Sequence, residues 1–332
     1  MSMWTENQVI EEISRIFTPR PDIAPLGIGD DCAVFRDGLN LITTDAAVEG
    51  VHFDLSWMSL ADAAYRCTTA NLSDVASMGA EPSGFTLALC LRPDLGFESI
   101  RDAILAIKQC IADHNLDDCW LIGGDVVRSS VVSFSITMLG KKPNYPVLRR
   151  CGASDGDVIA VLGNIGHSAA GLELCRRNLM FADAISTYKP YLDAFKRPKA
   201  LCHVGIAIAK ERLAHAMMDV SDGIMTDLGR MLESSHCGGI VNVGVLKPTE
   251  SMSALARELL VQPRGWMLCG GEDFSLLVAI PKSNVDAVKS ICQQHKVDYT
   301  QLGHCDKNIN GIRWMDGRDE VHLKNTSFVH FA

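Results

Sequence analysis

The stretch Asn71-Leu72-Ser73-Asp74-Val75-Ala76-Ser77-Met78-Gly79-Ala80 closes an apolar pattern that begins at Leu60. Its three-to-four-residue spacing predicts a helix over Leu60 to Met78. A strand-like run follows at Gly84–Leu91, and a second helical pattern covers Phe97–Asp113. Asp74 is the odd member of the first helix. At helical spacing it shares a face with Cys67, Asn71 and Met78. A carboxylate there is either solvated or paired with a cation, because burying it alone is expensive.

Outward from this segment, strands and helices stay mixed. Thr5-Glu6-Asn7-Gln8 reads as a capping box opening a short helix with Val9, Ile13 and Ile16 on one face. Pro19, Pro21 and Pro25 end it in an extended segment. Short strands are expected at Cys32–Phe35 and Leu39–Thr44. Further strands are expected at Cys119–Ile122 and Val131–Leu139, the last alternating apolar and polar residues. Gly140-Lys141-Lys142-Pro143-Asn144-Tyr145-Pro146 is polar, carries two prolines and reads as a linker. It divides the chain into domains 1–146 and 147–332. Beyond it, strands are expected at Asp157–Leu162, Ala216–Val220 and Phe274–Ile280. Helices are expected after Gly163, from about Met225 and over Asn284–His295. The class is α/β or α+β.

The 332 residues are 47% hydrophobic, enough to bury a core, so a disordered chain is excluded. Lys plus Arg is 31 and Asp plus Glu is 40, a formal charge of −9. That balance disfavours nucleic acid and anionic membranes as partners. No apolar run reaches the length of a membrane span, and Met1 to Thr5 shows no secretory signal. Twelve cysteines include no Cys-x-x-Cys, and most lie in apolar patterns. A reducing cytoplasm is the expectation.

The chemistry should sit in a series of acidic clusters, mostly beside glycines, at expected turns and helix ends. They are Gly27-Ile28-Gly29-Asp30-Asp31, Thr43-Thr44-Asp45, Asn71 to Asp74, Gly123-Gly124-Asp125, Asp219-Val220-Ser221-Asp222-Gly223 and Gly270-Gly271-Glu272-Asp273. Any one alone is an ordinary turn or helix cap. Six together point to hard-cation chemistry, since Mg²⁺ prefers carboxylate and phosphate oxygens. No phosphate-binding P-loop and no dinucleotide fingerprint is present. Gly163 to Gly171 could place backbone N–H groups at a helix start, although a tight strand-to-helix turn is the plainer reading. Ser221 has no evident base and Gly-x-Ser-x-Gly is missing, so nucleophilic catalysis is unsupported. His52 stands out because it follows Asp45 closely, although a packed or surface histidine is the plainer reading.

In this order the motifs resemble thiamine-monophosphate kinases. The resemblance is carried by Gly27 to Val34, Thr43 to Phe53, Asn71 to Ala80, Gly123 to Asp125, Arg150 to Ala153 with Gly156-Asp157, Asp219 to Gly223 and Gly270 to Asp273. It implies a two-domain fold of the aminoimidazole-ribonucleotide-synthetase type. The N-terminal mixed sheet with its helices would form a homodimer, and the C-terminal domain would be α/β. The implied reaction is ATP plus thiamine monophosphate giving ADP plus thiamine diphosphate. By the same resemblance, Asp30, Thr43, Thr44, Asp45, Asp74, Asp125, Asp219 and Asp222 are similar to the family's Mg²⁺ ligands. Gly124, Asp125, Arg150 and Ser221 resemble nucleotide contacts. His52, Glu272 and Phe328 resemble thiamine-phosphate contacts.

The chain departs from the family pattern mildly. Cys32 stands for a usual Ala, Ile224 for Leu, Val126 for a frequent Thr, and Phe274-Ser275 for a common Tyr-Glu. Phosphoryl transfer asks the protein for positioning and charge neutralisation. The acceptor phosphate, with a second pKa of ~6, is already largely deprotonated. Direct transfer without a general base or phosphoenzyme is therefore expected. Other enzymes of the superfamily compete with this reading. A hydrogenase-maturation dehydratase should end in a reactive Cys, yet the chain ends His330-Phe331-Ala332. A selenophosphate synthetase should carry a reactive Cys near a Lys at the N-terminus, yet the first cysteine is Cys32. An aminoimidazole ribonucleotide synthetase is separated by its acceptor. A catalytically dead scaffold should have lost several of the aspartates.

Overall fold

The structure, a computed structural model, describes Gln8, Glu11, Leu26, residues 29–34, 40–141, 143–179, 185–324 and Ser327. The expected N-terminal helix, its prolines and Phe328 lie outside the described residues, apart from helical Gln8 and Glu11.

The first half forms a five-stranded mixed sheet in the order β1-β2-β5-β3-β4. These strands are β1 (Ala33–Val34), β2 (Asn40–Val48), β3 (Glu81–Leu91), β4 (Trp120–Arg128) and β5 (Ser133–Lys141). Only β3 and β4 run parallel. Helices α1 (Leu60–Ser77) and α2 (Phe97–Asp113) belong to this half. Alternating Phe134, Ile136 and Met138 are buried on the covered face, the period-two pattern of a half-buried sheet.

The second half forms a seven-stranded sheet, β12-β11-β8-β10-β6-β9-β7. It comprises β6 (Val158–Leu162), β7 (Ala216–Asp219), β8 (Gly238–Asn242), β9 (Leu276–Ile280), β10 (Tyr299–Asp306), β11 (Ile312–Asp316) and β12 (Asp319–Glu320). Every residue of β6 and β9 is buried, as unbroken apolar runs require. Its helices are α3 (His167–Arg176), α4 (Ile185–Lys196), α5 (Cys202–Lys210), α6 (Ile224–Ser234), α7 (Glu250–Leu259), α8 (Pro263–Cys269) and α9 (Val285–His295). The fold is α/β of the α+β kind, with two mixed sheets.

Helix α1 joins the halves, contacting β2 and β5 on one side and α5 and β7 on another. It starts at a capping box between Ser59 and Asp62, which satisfies two terminal N–H groups. Most of its residues are buried, including polar Thr68, Thr69 and Asn71. These cause no polar deficit, because each bonds back to the preceding turn. Thr68 Oγ1 donates to Ala64 O at 2.8 Å, Thr69 Oγ1 to Tyr65 O at 3.1 Å and Asn71 Nδ2 to Cys67 O at 3.0 Å.

Two local expectations are corrected. Gly123-Gly124-Asp125 is not a turn but the middle of β4. A Cβ on Gly124 would stand 2.1 Å from Leu87 O, so glycine allows the parallel β3–β4 approach. The expected linker begins too early, because Gly140 and Lys141 still belong to β5 and pair with β2 and β3.

Candidate active site

The folded chain draws five of the six acidic clusters around one cavity of about 1370 Å³. Its acidic floor comes from three elements. Asp31 precedes β1, Asp74 lies on α1 and Asp219 ends β7. One carboxylate oxygen from each lies within 4.8 Å of the others. Asp31 and Asp219 are buried and Asp74 is half-buried. Burial, then the charges of Asp45 and Asp219, pushes the Asp74 carboxyl well above the usual range. Burial and the Asp31 charge do the same to Asp219. Burial followed by Asp31 raises Asp45, and Asp30 is pushed up to about 6 by burial and the adjacent Asp31.

Such a cluster cannot stay fully ionised without cations. The donors are all oxygen, with no His or Cys in the group, so the residues fit a hard divalent ion. Ser73, buried on α1, sets its hydroxyl beside the Asp219 carboxylate and tempers the upward shift that burial causes there. Partial compensation is already present. Thr43 Oγ1 donates to Asp74 at 2.5 Å, Arg150 Nε bonds Asp31, and the Ser77 hydroxyl bonds the other Asp31 oxygen. Asp30 Oδ1 accepts from the N–H groups of Asp31 at 3.0 Å and Arg150 at 3.3 Å.

Of the sequence-predicted residues, Asp30, Thr43, Thr44, Asp45, His52, Asp74, Arg150, Asp219, Ser221, Asp222 and Glu272 all line this cavity. Thr44 does so from the opposite face of β2 to Thr43, and its hydroxyl donates to Ile136 O at 3.1 Å. His52 Nδ1 accepts from Val48 N–H at 3.2 Å, leaving Nε2 to carry the proton. Asp222 is held by Arg230, which also reaches Asp227 at 3.1 Å.

Gly124 and Asp125 are not brought to this lining. Gly124 shares a sheet row with Asp45 through Leu87 and Ile136. Three strand spacings separate them, about 14 Å. Phe328 is outside the described residues.

Sequence reasoning quoted Asp31 and Asp273 only as members of acidic clusters, without a role, and missed Arg66 and Asp227. Of the adjacent pair Asp30 and Asp31, only the folded turn shows which joins Asp74 and Asp219. Asp227, pushed up to about 7 by burial and Asp222, receives the N–H groups of Asp222 and Gly223, both at 3.0 Å. It therefore shapes the Ser221–Gly223 turn. Asp273 accepts from Gly166 and Ser168 N–H at the start of α3 and is pushed up to about 7 by burial. That helix start is already answered by a carboxylate of the chain itself. Gly271 seals the two loops together. A Cβ there would lie 2.1 Å from Ser221 O, and Glu272 N–H donates to the same carbonyl at 2.9 Å.

Residues 29–141 match the N-terminal domain, and 154–312 the C-terminal domain, of AIR synthase related proteins. The chain is 36% identical to thiamine-monophosphate kinase of Escherichia coli O157:H7, over 96% of this chain and 95% of that one. The chain belongs to the thiamine-monophosphate kinase family. It is also similar to AaThiL complexed with AMPPCP and TMP, at 25% identity and TM-score 0.83, covering 98% of this chain and 97% of that one. The thiamine-monophosphate kinase of Stenotrophomonas maltophilia K279a is 30% identical with TM-score 0.74, over 93% and 96%. Within this family, the aspartate cavity lies between an N-terminal and a C-terminal unit that α1 locks together.

Proposed function

We propose that this family member transfers the γ-phosphoryl group of ATP directly to thiamine monophosphate, releasing ADP and thiamine diphosphate. The chain is an ATP-dependent kinase. The observation that carries direct transfer is a single cavity of about 1370 Å³, larger than the roughly 300–1,000 Å³ of a site for one small ligand. Both substrates can occupy it together, so no phosphoenzyme is required.

Asp31, Asp74 and Asp219, with Asp30, Thr43, Thr44, Asp45 and Asp222 around them, are the residues that would hold Mg²⁺. Bound there, Mg²⁺ supplies charge neutralisation between two phosphate-bearing substrates. Thr43 fixes one Asp74 oxygen, and Arg150 balances Asp31 from the nucleotide side. Ser221 and Arg150 are the nucleotide contacts in this reading, with Gly124 and Asp125. His52 and Glu272 face the acceptor. No side chain has to take a proton, because the attacking phosphate oxygen is already anionic.

The domains are 1–146 and 147–332, and the N-terminal domains pair into a homodimer. The support is an open sheet. β1 covers the outer edge of β2 only at Leu41 and Ile42. At the far side, every residue of β4 is exposed, including Trp120 at 65% and Val126 at 66%. Two open edges are a liability unless closed, and pairing β4 with the second copy's β2 would close them as a barrel. That pairing would set β4, which carries Gly124 and Asp125, beside the β2 that carries Thr44 and Asp45 in the other copy. The cytoplasmic reading is supported by twelve free thiols. No helix among the described residues is long and apolar enough to cross a membrane.

The direct test measures ADP release with thiamine monophosphate, with the aminoimidazole precursor and with no acceptor. Release dependent on thiamine monophosphate alone is expected. Equal release with the precursor would overturn the acceptor assignment. With γ-labelled ATP and no acceptor, a stably labelled protein would overturn direct transfer.

A further inference from the structure

Arg66 is the least expected side chain of α1. It is 4% exposed, and it lies in a run otherwise made of Ala63, Ala64, Tyr65 and Cys67. Its guanidinium makes three contacts with the C-terminal half. One nitrogen bonds the Glu272 carboxylate, another bonds the Phe195 carbonyl, and the group stacks 4.4 Å from the Phe195 ring centroid. Burial lowers its pKa only to about 10, so it remains cationic at neutral pH.

Glu272 needs such a partner. It sits in an irregular loop with φ +61, followed at Phe274 by φ +50, backbone conformations that L-residues adopt rarely. Its side chain is 36% exposed and lines the cavity. One carboxylate oxygen is committed to Arg66, and the other has no hydrogen-bond partner among the described residues. The free oxygen is thus aimed by the bound one.

We propose that Arg66 is a positioning residue for the acceptor site, fixing the Glu272 carboxylate so that its free oxygen meets thiamine monophosphate. This rests on the acceptor reading of Glu272 given above. The planar fork is essential, because one group must bond a carboxylate and a carbonyl while stacking on a ring. Lysine carries the charge but cannot do all three.

The test is Arg66→Lys in the full-length enzyme. Acceptor binding is followed without ATP by tryptophan fluorescence, since Trp57 and Trp266 line the cavity, and by steady-state kinetics. The expected result is a loss of thiamine monophosphate affinity of about tenfold, with kcat and the KM for ATP within about twofold. In a Glu272→Gln background, adding Arg66→Lys should cost nothing further for the acceptor. Equal weakening of ATP and acceptor, or fully multiplicative losses in the double variant, would overturn the proposal. If Arg66→Lys does not fold, Phe195→Leu removes only the ring under the guanidinium. It should then give a smaller acceptor-selective loss, and no such loss would overturn the proposal. A wild-type enzyme that ignores thiamine monophosphate would bring down the functional reading and this one together. A normal wild type with unselective variants would bring down this one alone.

Discussion

The two sheets solve the same packing problem differently. In the seven-stranded sheet, β6 and β9 are buried along their whole length, and helices of the same chain cover them. In the five-stranded sheet, α1 packs on one face, while Thr44, Ala46 and Ala88 point to an exposed one, and β4 is bare. The contrast teaches that the second half is finished by its own sequence, while the first half leaves exposed the strand that the proposed homodimer would cover. The aspartate site lies where the finished sheet meets the unfinished one, with Asp219 from the former and Asp45 from the latter.

The largest expected effect tests the meeting point. Asp74→Asn should lower turnover by at least about 100-fold, while the metal-free protein keeps its fold, because Asn replaces a carboxyl that burial already pushes toward its neutral form. Near-normal ADP release would remove Asp74 from the metal site and leave the junction merely structural. Next comes the unfinished sheet itself. Val126→Asp on β4 should convert a dimer to a folded monomer by analytical ultracentrifugation, with activity falling at least tenfold. The matching change in the finished sheet, Val278→Asp at a 0% exposed position, should instead abolish soluble folding. If both variants behave alike, the contrast between the sheets is wrong.

A smaller effect is expected at the acceptor end. His52→Ala should raise the KM for thiamine monophosphate by about tenfold, the size of one hydrogen bond to a charged group, and leave the KM for ATP unchanged. Steady-state kinetics with each substrate varied in turn would show it. The smallest effect is a pH slope. Asp30 at about 6, and Asp227 and Asp273 at about 7, have folded pKa values raised above the unfolded 3.8. Between about pH 4 and 7 the folded protein keeps protons that the unfolded chain has released. Stability of the metal-free protein therefore falls as pH rises through that window. Thermal melts in chelator should decline from pH 5 to pH 8, and Mg²⁺ should restore more at pH 8 than at pH 5.

Much of this was legible in the sequence because it depends on local pattern. Helix Phe97–Asp113 follows from its period alone, and α1 ends one residue before the expected Met78. Five of the six acidic clusters converge on the cavity, and only Gly123-Gly124-Asp125 stays away from it. What the sequence could not show depends on distance in space. Nothing in Asp30-Asp31 says which carboxylate turns inward, since the choice is made by Arg150 and Ser77 across the fold. Gly123-Gly124-Asp125 looks like a turn because its strand role comes from pairing with β3. Strands β8, β10, β11 and β12 were unanticipated, being short or interrupted by glycines and polar residues that only their neighbours organise.

Helix α1 carries one further consequence. Arg66 and Asp74 both face the cavity, with Cys67 and Ala70 between them on the same side. Eight residues at 1.5 Å each put about 12 Å between those two stations, and a helix held on several sides cannot lengthen to suit a guest. On the proposed reading of Glu272 and the aspartates, the acceptor would be gauged against that fixed length. A molecule whose phosphate reaches the aspartates before its far end reaches Glu272, or the reverse, is out of gauge however well either end would bind alone.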